Sequence, residues 1–424
     1  MTDFKIGDDA RRRATDQLEA LRRANDGRVA WDTEAPADFT YLYDPDHVLL
    51  RVEDARDFEE AVARIEGVFD SAPERQEDPL PDVLARFRLP RRRDDQSIGD
   101  VLDLLDADPK FGPDRVTPDH YLHVTPGGGG TACPATEPEE TGLTDPWPPR
   151  CPDADDKRED VSVVVVDTGW HPPAATDPRT PWLAGVTGDD ELNGPVLREY
   201  AGHGTFIAGV VRCLAPDTRV FVEGFAVGAV GGGGILESAM VRELRQALRH
   251  KPRVINLSAG MRTRRDLPSL AFRLFWEREL ERHDCVLVAA AGNDTSPAPF
   301  WPAAFPWAVG VGALDRDGRV SDFSNYGVSA DVYALGRNIV NAFPDGTYEC
   351  RETPNKGDLR VFGTGLARWS GTSFAAPVVA GLIAAEIRAT GCDADTARDA
   401  VLARAVRVSD PVIGPIESLL PPYC

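Results

Sequence analysis

The chain has 424 residues, of which 47 are Lys or Arg and 69 are Asp or Glu, giving a formal charge of −22. That length exceeds one typical domain, and 42 % hydrophobic with 27 % charged residues is a globular make-up, neither disordered nor fibrous. All of the net charge falls in residues 1–200, while residues 201–424 balance to zero, which excludes a uniformly halophilic surface and a nucleic-acid binder working through a general basic field.

In chain order, residues 1–40 are polar and partly helical, and they lack the apolar core and small-residue cleavage site of a signal peptide. The most apolar runs, Val161–Val166 and Ala375–Ala385, are too short to span a bilayer, so the expectation is a cytoplasmic protein with no membrane partner. Residues 41–124 read as a small α+β unit. Val48–Val52, Ala85–Leu89 and Tyr121–Val124 are its strands. Ala55–Gly67 and Ile98–Leu105 are its helices, the first carrying Phe58, Ala61, Val62 and Ile65 on one face. Residues 125–160 are dominated by Gly, Pro and acidic side chains and read as an extended linker. The seven cysteines are odd in number and have no CxxC spacing, which favours neither a zinc site nor a full disulfide framework. One bridge, such as Cys133 with Cys151, is left open.

From Val161 to Cys424 the pattern changes. VSVVVVD, RVFVEGFAV, RVINLS, CVLVAAAGN and WAVGVGAL are near-continuous apolar runs, as strands buried on both faces of a parallel sheet require. Helical stretches accompany them at His203–Leu214, Ile235–His250, Ser269–Arg282, Thr372–Ala389 and Thr396–Ala405. The expected class is therefore a three-layer α/β domain with a mainly parallel sheet, preceded by the small α+β unit. Residues 341–365 read as an extended or inserted loop.

Ligands gather at the carboxyl ends of such strands, and three segments lie there. Asp167 follows VSVVVV, His203 opens a helix in GHGT, and Ser373 opens another in SGTSFAAP. Singly, each is an ordinary cap or turn residue. Together they are the parts of a nucleophilic triad, because a serine hydroxyl needs an imidazole to take its proton and a carboxylate to hold that imidazole's tautomer. His120 and His123 fall on opposite faces of a strand and read as structural, and Asp153–Asp160 reads as a solvated linker without a calcium-loop pattern.

With DTG at 167–169, HGT at 203–205 and GTSFAAP at 371–377, the chain resembles the subtilisin-like serine protease family (peptidase S8) over roughly residues 160–405. The resemblance implies Asp167 as orienting carboxylate, His203 as general base and acid, Ser373 as nucleophile and Asn293 as oxyanion donor. It also implies that Ser258, Ala259 and Gly260 form one wall of the first specificity pocket and Ala290, Ala291 and Gly292 the other. Gly232 and Gly233 would belong to the loop that pairs with an extended substrate. Asp294 would lie at the pocket floor, favouring a basic or polar P1 residue, or in a solvated loop. No cofactor is required, and calcium, widespread in the family, is assignable to no residue here. The partners implied are a polypeptide substrate and the chain's own N-terminal unit, which resembles an inhibitory propeptide by position and element order. The alternatives are a permanent regulatory module and a catalytically silent protease-fold interaction protein.

Overall fold

The computed structural model describes residues 12, 15–16, 18–19, 21–23, 25–33, 39–65, 69, 71–90, 97–123, 135–152, 161–191, 194–225 and 234–424. In the N-terminal part, β1 (Leu42–Arg51), β2 (Leu84–Arg88) and β3 (Val116–His123) pair antiparallel in the order β3-β1-β2. Helices α1 (Ala55–Arg64) and α2 (Ile98–Ala107) share a core with this sheet that holds Val48, Leu50, Phe58, Phe87 and Leu102. Ser97 starts α2 with a reciprocal cap, its Oγ accepting from the Asp100 N–H at 3.1 Å while the Asp100 carboxylate accepts from the Ser97 N–H at 2.9 Å.

The C-terminal part contains β4 (Ser162–Asp167), α3 (His203–Leu214), β5 (Arg219–Gly224), β6 (Gly234–Leu236), α4 (Glu237–Ala247) and β7 (Val254–Leu257). Next come α5 (Leu270–Arg278), β8 (Val286–Ala290), β9 (Ala308–Leu314), β10 (Val332–Leu335) and four short strands, β11 (Ile339–Ala342), β12 (Gly346–Glu349), β13 (Leu359–Phe362) and β14 (Leu366–Trp369). The chain then forms α6 (Thr372–Thr390), α7 (Ala394–Leu402) and the hairpin β15 (Val406–Asp410) and β16 (Gly414–Ser418). A nine-stranded sheet runs β15-β16-β10-β9-β8-β7-β4-β5 and ends on Thr187–Gly188, parallel throughout except for the β15–β16 pair. Its period-two alternation explains the valine run of β4. Val163 and Val165 enter the core shared with α3 and α6, and Val164 and Val166 the core shared with α4 and α5. Two apolar faces and two helical layers are the three-layer arrangement expected from the sequence.

Several local expectations change. Ile235 and Leu236 are not the start of a helix: with Gly234 they form β6, which pairs antiparallel with β3 through Gly234↔His123, Ile235↔Leu122 and Leu236↔Tyr121. The helix starts at Glu237 because the edge of the N-terminal sheet takes those residues as its last strand. Residues 341–365 are not one loop, since β12 and β13 pair there and β12 pairs also with Val196–Leu197.

Residues 135–152, placed in the linker by composition, lie along the C-terminal part. Glu139 exchanges backbone hydrogen bonds with Arg368 of β14 (2.9 and 2.8 Å), and Trp147 with Val340 of β11 (2.8 and 3.0 Å). Cys151 is bonded to Cys424 rather than to Cys133, which lies outside the described residues. Among the described residues one helix, α6, is long and apolar enough to cross a membrane, but 83 % of its apolar window is buried inside the protein, as befits a core helix.

Candidate active site

Asp167, His203, Ser373 and Asn293 gather at the carboxyl ends of the central strands, and each has 0 % exposure. Asp167 is the last residue of β4. Its Oδ1 accepts from the Thr168 N–H at 2.7 Å and lies 2.7 Å from Nδ1 of His203, the first residue of α3. Thr168 Oγ1 accepts from the Gly204 N–H at 3.2 Å and ties the strand end to the helix start. The imidazole is enclosed by Trp369 and Phe374, each ring 5.3 Å away between centroids. His203 Nε2 has no hydrogen-bond partner among the described residues.

Ser373 opens α6 on a platform made by the ends of β7 and β8. Ser258 Oγ donates to the Ser373 carbonyl at 2.9 Å, and the Ser373 hydroxyl donates to the Ser258 carbonyl at 3.5 Å. Asn293 Oδ1 accepts from the Thr372 N–H at 2.8 Å, and Thr372 Oγ1 accepts from the Gly292 N–H at 3.2 Å. These bonds assign the carbonyl end of the Asn293 amide to α6, leaving NH2 as its donor end.

Ser258, Ala259 and Gly260 follow β7, while Ala290, Ala291 and Gly292 close or follow β8; β7 and β8 are parallel neighbours, so the two segments leave the sheet side by side. Met261 and Trp301 exchange backbone hydrogen bonds of 2.9 and 2.8 Å beyond them. Asp294 is almost wholly buried rather than solvated, and burial pushes its carboxyl up to about 7, against the pull of Arg262 and Asn325. Gly232 and Gly233 lie outside the described residues.

Asn325 escapes the sequence reading, whereas His120 is buried as the structural histidine expected from the sequence. Asn325 clamps the loop after β8, its Nδ2 donating to the Ala291 carbonyl at 2.9 Å and its Oδ1 accepting from the Asp294 and Ser296 N–H groups at 2.8 and 3.0 Å. In the string SNYG an Asn reads only as a turn residue. His120 is buried where the two parts meet. Its Nδ1 lies 2.6 Å from Glu237 Oε1, and its Nε2 accepts from the Arg264 N–H at 3.1 Å, which makes Nδ1 the protonated nitrogen.

Next to it, Asp119 accepts from Arg86 Nε at 2.7 Å, Ser238 Oγ at 2.6 Å and the Ser238 N–H at 3.2 Å. A carboxylate of the N-terminal part thus caps the first turn of α4. Arg264 pairs with Asp103 and with Asp106 (2.9 Å) of α2. Among the described residues, no group of three or more His, Cys, Asp or Glu side chains is arranged to hold a metal ion.

A family model described as the subtilase family matches residues 158–408. The chain is similar to the thermophilic serine proteinase of Bacillus sp. (strain AK1), with 32 % identity over 218 residues, 46 % of this chain and 47 % of that one. It is also similar to the major intracellular serine protease of Bacillus subtilis (strain 168), with 26 % identity over 247 residues, covering 54 % and 68 % of the two chains. The chain spans about half the length of the first curated relatives it matches. Among solved structures, fervidolysin from Fervidobacterium pennivorans, a keratinolytic enzyme related to subtilisin, shares the fold with a TM-score of 0.55 and 17 % identity. That match covers 89 % of this chain and 60 % of the other, so it reaches beyond residues 158–408 into the N-terminal part.

Proposed function

The chain belongs to the subtilase family, and from that premise we propose that it is a serine endopeptidase working through an acyl-enzyme. Ser373 Oγ attacks the scissile carbonyl while His203 Nε2 takes its proton. Asp167 holds the ring with its proton on Nδ1 and stabilises the imidazolium that forms. The Asn293 NH2 group and the Ser373 N–H stabilise the oxyanion, so their stabilisation is largest in the tetrahedral state and lowers the barrier. His203 then protonates the leaving amine and activates the water that releases the acyl group. The observation that carries this reading is the buried 2.7 Å Asp167–His203 pair, whose Nε2 has no partner among the described residues. In this reading the Ser373 hydroxyl leaves the Ser258 carbonyl and closes on His203 Nε2 when substrate binds. A fluorophosphonate probe should label Ser373 in wild type and not in Ser373→Ala. Absence of labelling after removal of the N-terminal part would favour the silent-scaffold alternative.

The N-terminal part acts in this reading as a bound inhibitor, with β3 delivering the chain from the β6 edge and one cleavage falling between Val124 and Cys151. Support comes from the β3–β6 pairing and from the Asp119, His120 and Arg264 contacts. Intact mass compares wild type with Ser373→Ala; if both stay full length and equally inactive, autoprocessing is wrong. The Cys151–Cys424 bridge persists best in oxidising surroundings, which counts against the cytoplasmic expectation. A thiol count on denatured protein from the native host distinguishes the two.

A further inference from the structure

We infer that the side chain of Phe300 fills the first specificity pocket, so that this enzyme cleaves after small residues (glycine, alanine or serine at P1) and not after large apolar or basic ones. The inference rests on the endopeptidase reading above and on the wall segments 258–260 and 290–292. Phe300 is 1 % exposed and its ring touches both walls. A Cβ placed on Gly260 would come within 2.3 Å of Phe300 Cε1, and one placed on Gly292 within 3.1 Å of Cδ1 and Cγ. Gly292 also has φ +98°, a conformation that side-chain-bearing residues rarely adopt. Both walls are therefore glycine where they meet the ring, and the gap between them is taken up by one phenyl group.

The ring is held there from its own backbone. The Phe300 N–H donates to Ser329 Oγ at 2.8 Å, and the next residue is locked by the paired Met261–Trp301 hydrogen bonds. Swinging the ring out would expose a buried phenyl group to water.

Asp294 is the competing determinant. Its carboxylate is 7 % exposed and lies in the field of Arg262, which already offsets part of the charge a P1 cation would meet. A Lys or Arg side chain entering between the walls meets the Phe300 ring, so steric exclusion wins over the charge. The chain's own stretch between Val124 and Cys151 contains Gly127–Gly130, Ala132 and Ala135, residues that so shallow a pocket accepts.

The test is a set of peptides identical except at P1 (Gly, Ala, Ser, Leu, Phe, Arg), assayed on the full-chain enzyme after processing, beside fluorophosphonate labelling of the same preparation. The expected result is a kcat/KM for Ala at least about tenfold above those for Leu, Phe and Arg. Phe300→Ala and Phe300→Gly should each raise the ratio of kcat/KM for the Phe peptide to that for the Gly peptide by about tenfold or more. Wild-type cleavage after Leu, Phe or Arg as fast as after Ala overturns the inference while the labelled Ser373 leaves the endopeptidase reading standing. No labelling and no cleavage of any peptide overturns both. Should either variant fail to fold, as judged by circular dichroism, the wild-type P1 profile decides alone.

Discussion

Both sheets carry strands that are apolar on two faces, but they are completed by different parts of the chain. In the nine-stranded sheet, Val163 and Val165 meet the α3 and α6 layer and Val164 and Val166 the α4 and α5 layer, all from the C-terminal part. In the N-terminal sheet, Val48 and Leu50 meet α1 and α2, whereas Leu49, Leu84 and Leu122 enter the core built around Met240, Leu244 and Phe275 of α4 and α5. The first sheet is finished by its own helices. The second is finished only by docking, and its last strand, β6, is lent by the part it docks on. Among the described residues, both faces of such a sheet are covered only while it is docked. Polar groups in the seam are paired accordingly: of two carboxylates with 0 % exposure, Asp119 accepts from Ser238 N–H and Oγ across it and Glu237 from the His120 N–H and Nδ1, while Ser269 Oγ donates to Glu237 from its own side. Burial raises the Asp119 carboxyl above its ordinary value, with Arg86 and Ser238 pulling the other way.

The largest effect should fall on chemistry alone. Ser373→Ala and His203→Ala should each lower turnover of a peptide substrate by about 10⁴-fold or more while both sheets unfold at the wild-type denaturant concentration. Substantial residual activity in either variant would sink the triad. Next come the docked leucines. Leu122→Ala removes a side chain buried between the two parts and should cost about 2–5 kcal/mol, read as release of the N-terminal part at lower urea with the nine-stranded sheet intact. A single coincident transition for both sheets would erase the distinction between them.

Asp119→Ala should cost about 1–3 kcal/mol, because Ser238 and Arg86 lose a buried acceptor, and it should raise peptidase activity if the docked part inhibits. Asp294 gives a pH test confined to the C-terminal part. Its carboxyl rises from the ordinary 3.8 to about 7 on folding, so the folded state binds the extra proton between those values. Stability from this group is complete below the lower value, declines as pH rises towards 7 and is level above it. Urea midpoints at pH 4 and pH 8 should therefore differ less in Asp294→Asn than in wild type. The smallest change is expected for Arg265→Ala: the guanidinium is about half exposed, its pairs with Asp103 and Asp114 are exposed on both sides, and its 2.9 Å pair with the buried Asp106 is backed by Arg264, so the loss should be about 1 kcal/mol or less; a larger loss by the same midpoints would mean that α2 is held mainly by charge.

Much of the fold is legible because burial on two faces leaves a plain signature. The runs at Val163–Val166 and Val286–Ala290 declare parallel strands, and the spacing of Phe58, Ala61 and Val62 declares a helix face. Motif spacing places Asp167, His203 and Ser373 at element ends, and the structure gathers them at the carboxyl ends of the central strands. Asn325 and Phe300 give no such signal. Their roles depend on what lies opposite them after folding, and neither an Asn before Tyr-Gly nor a Phe before Trp-Pro declares its neighbours.

By itself, then, the sequence determined the three-layer class, the order of the strands' apolar runs and the residues offered for catalysis, because periodicity and local capping are set by near neighbours. The tertiary structure decided the rest. It turned Ile235 and Leu236 from helix to strand, laid residues 135–152 along β11 and β14, joined Cys151 to Cys424 and set Phe300 between Gly260 and Gly292. Each of these is a contact between residues far apart in the chain, and the partner of such a contact exists only once the chain has closed upon it.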